Sequence, residues 1–233
     1  MVSRSDVTDL DCLEVRAISM KPVLHNYYRS STSLRVRAAL ALKGIDYEYK
    51  SYHLRKNEQG SDEYLAINPQ GLVPALEMDG VRLSQSLAIL ECLDEQYPES
   101  PLLPDDTIAR ARVRSLAMLI GCDIHPLNNL RVLEYLRSNF GADDEGVAKW
   151  FTHWVEEGFR AMEVRLSTET ETGRYCHGDE VGLADICLVA QVVNNKRFNV
   201  DMTPYPTIQR IFDECMQLPA FHQAMPMVQP DAE

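Results

Sequence analysis

The feature that most constrains the fold is a change of pattern near residue 97. Before it, short strand patterns alternate with helical ones, and Asp79-Gly80 between the last two strands is a strong signal for a two-residue hairpin turn. The strands are predicted at 22–27, 47–52, 72–78 and 81–83, and the helices at 31–43, 61–67 and 84–96. The predicted order is βαβ, then α, then ββα.

The patterns that follow the proline-rich connection 97–104 are helical. They are predicted at 105–139, with a break at Pro126, and at 144–166, 183–197 and 204–217. An α/β domain followed by an all-helical domain accounts for this change. We place the first domain at 21–101 and the second at 102–233, after a flexible N-terminal extension at 1–20.

Composition excludes several classes of partner. The formal net charge of −12 disfavours binding to nucleic acid or to an anionic membrane surface, because both are held mainly by neutralising phosphate. The first twenty residues lack the apolar core of a secretory signal, and no eighteen consecutive residues are apolar. An anionic ligand would therefore have to meet a local cluster of basic residues.

The six cysteines are scattered through the chain. They form no CxxC pair, no zinc-ligand spacing and no dense disulfide framework. A reduced compartment is the simplest interpretation, so we expect a cytoplasmic protein without a metal site.

A cluster of hydroxyls, Ser30-Ser31-Thr32, follows Arg29 at the turn between the first predicted strand and the first predicted helix. The first helical turn leaves backbone N–H groups unpaired and carries the positive end of the helix dipole, so hydroxyls there suit an anion or a thiolate. Taken alone, such a turn is more often an ordinary helix cap than a catalytic site. The remaining motifs of the chain decide between the two readings.

Several motifs, in this order along the chain, resemble those of zeta-class glutathione transferases. They are Ser30-Ser31-x-Ser33-x-Arg35-Val36-Arg37-x-Ala39-Leu40, residues 68–74 (NPQGLVP), residues 85–89 (QSLAI) and residues 201–206 (DMTPYP). Within that class, residues 122–133 (CDIHPLNNLRVL) are similar to the isomerases that act on maleylacetoacetate and maleylpyruvate. The resemblance implies a thioredoxin-like βαβαββα domain, a helical domain, a homodimer and glutathione as cofactor.

The resemblance also implies roles for individual residues. The cofactor-binding residues would be Ser30, Ser31, Gln70, Val73, Pro74, Gln85, Ser86, His125 and Asn129, with a cis bond between Val73 and Pro74. The substrate-binding residues would be Arg29, Arg131 and Arg197. For Ser86, or for Ser84 before it, a plain helix N-cap remains an alternative, and Arg35 and Arg37 are better assigned to structure.

The implied reaction is the cis–trans isomerisation of a maleyl 1,3-dicarbonyl acid. A glutathione thiolate would add to the double bond, the central bond of the resulting enolate would turn, and elimination would return glutathione unchanged. Ser30, Ser31 and Thr32 are the candidate catalytic residues, and position favours Ser31 as the hydrogen-bond donor to the thiolate. Maleylacetoacetate of tyrosine and phenylalanine catabolism is the expected substrate, with maleylpyruvate of gentisate catabolism as the alternative.

One departure from the family pattern bears on the chemistry. Thr32 stands where many members carry cysteine, so this chain cannot form a mixed disulfide there, and redox activity is disfavoured. Two further functions stay open at this point. The chain could be a conjugating or α-halo-acid dehalogenating transferase, or a non-enzymatic binding protein with the same fold.

Overall fold

The computed structural model describes residues 21–233. The predicted N-terminal extension, residues 1–20, lies outside the described residues. Within the described part, no helix is both long and apolar enough to cross a membrane.

The first half of the chain forms the predicted α/β layer around a four-stranded sheet. In chain order its elements are β1 (Val23–Asn26), α1 (Ser31–Leu42), β2 (Glu48–Ser51), α2 (Asp62–Leu65), β3 (Ala75–Met78), β4 (Val81–Ser84) and α3 (Ser86–Gln96). The strand order is β2-β1-β3-β4, with β1 parallel to β2 and antiparallel to β3. The predicted order of elements is confirmed.

The hairpin between β3 and β4 is also confirmed. Asp79 and Gly80 both have positive φ, at 50° and 78°, which is the backbone conformation of the turn that joins two twisted strands most easily. The strand ends differ slightly from the prediction, since β1 is shorter by two residues and β3 begins only at Ala75, after the cis Val73–Pro74 bond. Two short 3-10 turns, Leu54–Lys56 and Glu58–Gly60, follow β2 and were not expected.

The second half is helical. Its helices are α4 (Thr107–Met118), α5 (Leu130–Phe140), α6 (Asp144–Thr168), α7 (Leu183–Arg197), α8 (Pro206–Cys215) and α9 (Pro219–Ala224). Helix α7 lies at the centre, because residues 183–192 are all buried and it packs against α1, α4 and α8. At the start of this helix, the Gly182 N–H donates to the carboxylate of Asp185 at 2.8 Å.

The break predicted at Pro126 begins earlier than expected. Regular α-helix ends at Met118, and residues 119–124 form a wider π-helical segment in which the N–H of His125 still donates to the carbonyl of Ile120, five residues back. Proline lacks an N–H and collides with the carbonyl four residues before it, so the chain opens ahead of Pro126 instead of kinking at it. The wider turn places His125 and Asn129 beside the first half of the chain.

Buried polar contacts join the two halves behind the β1–α1 turn. The guanidinium of Arg37 donates to the carbonyls of Tyr28 and Ala224, both at 3.0 Å, which confirms its structural assignment. Near the C-terminus, the carboxylate of Asp231 accepts hydrogen bonds from the backbone N–H of Tyr28, at 3.1 Å, and from the hydroxyl of Tyr49. The turn that carries Arg29 is therefore held at Tyr28, whose carbonyl accepts from Arg37 and whose N–H donates to Asp231.

Candidate active site

A cleft between the two halves of the chain contains every residue of the predicted site. Its central cavity, about 310 Å³, is lined by Arg29, Ser30, Ser31, Thr32, Gln70, Val73, His125, Asn129, Arg131 and Arg197. A smaller cavity of about 190 Å³ shares several of these residues and adds Pro74, Gln85 and Ser86. A larger cavity of about 1060 Å³ opens from the central one towards α7 and α8.

The hydroxyls of Ser30 and Thr32 both donate their single hydrogen to groups within the protein. Thr32 donates to the carbonyl of Val73 at 3.0 Å, and a hydroxyl has a single hydrogen to give. The 2.8 Å contact between Ser30 Oγ and Thr32 Oγ1 must therefore be donated by Ser30. Ser30 Oγ also caps α1 by accepting from the N–H of Ser33 at 3.1 Å, so the helix-cap reading holds for this residue.

Ser31 is placed differently, because its hydroxyl contacts His125 across the cleft. The distance from Ser31 Oγ to His125 Nδ1 is 3.4 Å, and His125 Nε2 lies 3.4 Å from Asn129 Nδ2. The Asn129 side-chain oxygen accepts from the N–H of Arg131 at 3.2 Å, which fixes its amide group with the nitrogen facing the ring. Asn129 therefore donates, and His125 Nε2 accepts.

The ring of His125 is neutral at physiological pH. Burial, and then the positive charges of Arg35 and Arg131, lower its pKa to about 3. A neutral ring carries one proton, and since Nε2 accepts from Asn129, that proton is on Nδ1 and points at Ser31 Oγ. Among the hydroxyls of the Ser30–Thr32 turn, Ser31 alone keeps a hydrogen that no described protein group accepts.

The start of α3 forms the other end of the cleft. Strand β4 ends at Ser84 and the helix begins at Ser86, whose hydroxyl accepts from Arg35 Nη1 at 3.3 Å instead of capping the helix, so the plain N-cap reading of Ser84 or Ser86 is wrong. Gln85 occupies the cap position with φ at 68° and makes no side-chain cap bond. Nε and Nη2 of the buried Arg35 find no partner among the described residues, which favours an anion at this helix N-terminus.

Comparison with known proteins agrees with this geometry. Residues 24–101 match the model of the glutathione S-transferase N-terminal domain. A maleylpyruvate isomerase from Ralstonia sp. is 51% identical over 209 residues, which cover 90% of this chain and 99% of that protein. The holo structure of a maleylpyruvate isomerase, described as a bacterial zeta-class transferase, is 50% identical with a TM-score of 0.89 and covers 91% of this chain and 100% of its own.

The chain belongs to the zeta-class glutathione transferases. A second similar structure is a maleylacetoacetate isomerase from Methylobacterium extorquens AM1 with bound malonate and glutathione. It is 44% identical, with a TM-score of 0.88, and the match covers 91% of this chain and 99% of that one.

The cleft of this zeta-class transferase is basic although the protein is acidic. The central and larger cavities are lined by Arg29, Arg55, Arg131, Arg137, Lys196 and Arg197, and Glu134 is the only acidic residue among the described ones that line them. The guanidinium of Arg29 lies 5.1 Å from the ring centre of Tyr28, and that of Arg197 lies 5.0 Å from the ring centre of Phe198. Both guanidinium groups therefore lie over an aromatic ring, and neither donates a hydrogen bond to a described residue.

Sequence reasoning missed some residues of the cleft. Arg55 and Gln59 come from the turns that follow β2, and Asn194 comes from α7 one turn before Arg197. None of them belongs to a motif with a recognisable spacing. They meet at the cavity only because the fold places the turns after β2 and helix α7 on the same cleft.

Proposed function

We propose that this zeta-class transferase is a glutathione-dependent cis–trans isomerase of a maleyl 1,3-dicarbonyl acid, most simply maleylacetoacetate to fumarylacetoacetate. The observation that carries the proposal is the single donatable hydroxyl hydrogen, on Ser31, beside an arginine-rich cavity. The first feature suits a thiolate, and the second suits a substrate with more than one carboxylate. Similar proteins with these activities support the same assignment.

The residues present fit glutathione along the length of the cleft. The N-terminus of α3 with Ser86 and Arg35 suits a carboxylate, and we assign the γ-glutamyl end there. The smaller cavity that contains Ser86 is also lined by Gln70, Val73 and Pro74, and Gln85 at the start of α3 donates to Gln70 at 3.0 Å. His125 and Asn129 contribute by orienting Ser31.

Ser31 would lower the pKa of the bound thiol. A free thiol has a pKa of about 8.5 and is only a few per cent ionised at neutral pH. Each unit of lowering needs about 1.4 kcal/mol of preference for the anion. A hydrogen bond from Ser31, together with the N-terminus of α1 and the nearby arginines, can supply the free energy needed to lower the thiol pKa by one or two units.

When bound, glutathione supplies a thiolate that adds to the maleyl double bond and leaves again after the central bond has turned. Arg29 and Arg197 would hold the substrate carboxylates and stabilise the negative charge that develops on the carbonyl side of that bond. Because these groups are held before the substrate arrives, little reorganisation is needed. His125, neutral and occupied by Ser31 and Asn129, is a positioning residue and not a general base.

Maleylpyruvate is the second candidate substrate. The observation that favours it is the identity of 51% with the maleylpyruvate isomerase from Ralstonia sp.. We also propose a homodimer in the cytoplasm, acting in aromatic catabolism. A conjugating or dehalogenating transferase would use the same thiolate but would consume the thiol.

The test is turnover with limiting glutathione. The purified protein should isomerise many equivalents of maleylacetoacetate or maleylpyruvate for each glutathione added, with free thiol unchanged at the end. Comparing the two substrates at equal concentration assigns the preferred one. Loss of one thiol for each substrate molecule would instead identify a conjugating enzyme, and no turnover would refute the proposal.

A further inference from the structure

Arg55 joins the two arginines that are proposed to hold the substrate. It lies in the 3-10 turn Leu54–Lys56 after β2, and it lines both the central and the larger cavity together with Arg29 and Arg197. The guanidinium of Arg197 is close enough to both of the others to be affected by their charges. The pKa of Arg197 is lowered, mainly by burial and then by the charges of Arg29 and Arg55.

These three arginines share a cavity in which the described residues supply no counter-ion. Among residues 21–233, none of the three forms an ion pair with a carboxylate within 4.0 Å. Glu134 lines both cavities as well, yet it makes no ion pair with them. Three like charges facing one space are favourable only when anions occupy it.

The proposed ligands would bring several carboxylates into this cleft. Glutathione has two carboxylates and a maleyl 1,3-dicarbonyl acid has two more. The γ-glutamyl carboxylate is assigned to the N-terminus of α3, beside Ser86 and Arg35. Three carboxylates remain. The central cavity is lined by four arginines that form no ion pair with a described residue, namely Arg29, Arg55, Arg131 and Arg197, and all but Arg131 also line the larger cavity.

We propose that Arg55 binds one of these three carboxylates, at the end of a bound ligand that lies farthest from the reacting sulfur. The inference rests on the proposed function. Two sources have the required chemistry, namely the distal carboxylate of the substrate and the glycyl carboxylate of glutathione. Either one makes Arg55 a residue that selects ligands by charge at a distance from the reacting bond.

The variant Arg55→Gln keeps most of the side-chain length and removes the charge. Lys56→Gln is the matched control, because it removes a positive charge from the same turn at a residue that lines none of the cavities described. Each variant is tested with the dicarboxylate substrate, with an analogue carrying a methyl group in place of the distal carboxyl, with glutathione and with γ-glutamylcysteine. Binding is measured by calorimetry alongside turnover.

If Arg55 holds the substrate, Arg55→Gln lowers kcat/KM for the dicarboxylate about tenfold and leaves the methyl analogue unchanged. If it holds the glycyl end, the Kd of glutathione rises by about the same factor and that of γ-glutamylcysteine does not. The proposal is overturned if Arg55→Gln behaves like Lys56→Gln with all four ligands. Failure of the proposed function is a separate result, since the wild-type protein would then bind glutathione without isomerising either acid.

Discussion

Replacing Asn129 by aspartate tests the hydrogen-bond chain that leads to Ser31. The two side chains have the same shape, and aspartate can still accept the N–H of Arg131 and cap α5. Its second oxygen, however, accepts where the amide nitrogen of Asn129 donates. His125 must then carry its proton on Nε2, so that Nδ1 becomes an acceptor and takes the hydrogen of Ser31.

The expected cost follows from losing one hydrogen bond to a thiolate. Such a charge-assisted bond contributes about 1.5–3 kcal/mol, which corresponds to a fall of roughly ten- to a hundredfold in kcat/KM. The assay is glutathione-dependent isomerisation as a function of pH, together with nitrogen NMR of His125 to locate the ring proton. The spectrum should show the proton on Nδ1 in the wild-type protein and on Nε2 in the variant.

Asn129→Ser is the matched control for this experiment. Serine is a good N-cap but is too short to determine the state of His125, so its effect should be smaller than that of aspartate. The added negative charge of aspartate could by itself disfavour a thiolate, but it would not move the proton from Nδ1 to Nε2. Wild-type kinetics and an unchanged ring proton in Asn129→Asp would refute the assignment of Ser31 as the hydrogen-bond donor to the thiolate.

Three further predictions concern the cations, the C-terminus and pH. Arg197→Ala should lower kcat/KM for the acid roughly ten- to a hundredfold and leave the Kd of glutathione nearly unchanged, and equal activity would remove Arg197 from the substrate site. Asp231→Ala removes the acceptor for the Tyr28 N–H, so it should destabilise the fold by about 1–3 kcal/mol and raise KM for the acid. Tyr49→Phe removes the other donor to Asp231 and should change KM less. Equal KM values in the two variants would contradict a role of Asp231 in holding the turn that carries Arg29. His125 takes up a proton near pH 6.5 in the unfolded chain but only near pH 3 in the folded one, so the free energy of unfolding should fall as the pH is lowered between these values. Urea titrations of His125→Gln should show a smaller loss over the same range. An equal loss in the variant and the wild-type protein would mean that His125 is not the group responsible.

Local patterns were enough to predict the order of elements. The strand and helix periods of residues 22–96, the Asp79-Gly80 turn and the helical second half were all readable, because each depends on residues near in sequence. The break near Pro126 was placed too late, since the opening of the helix begins several residues before the proline that causes it. The family motifs also singled out residues that the structure places together in the cleft.

The roles within the hydroxyl turn could not be read from the sequence. These roles depend on which group accepts each of the three hydroxyl hydrogens, and the deciding partners are distant in the chain. Val73 accepts from Thr32, and Asn129 fixes the protonation of His125 that leaves the Ser31 hydrogen free. The place of Arg55 beside Arg29 and Arg197 likewise depends on which elements the fold brings to one cavity. Such contacts across many residues carry no periodic signal.

The most direct test of the central claim is the pKa of the glutathione thiol bound to the protein. It is measured from the ultraviolet absorbance of the thiolate during a pH titration of saturated protein. We expect a value at least about one unit below that of free glutathione, restored towards the free value in Ser31→Ala and nearly unchanged in Thr32→Val. An unchanged pKa in Ser31→Ala, or an equal rise in Thr32→Val, would contradict the claim that Ser31 donates the hydrogen bond to the sulfur.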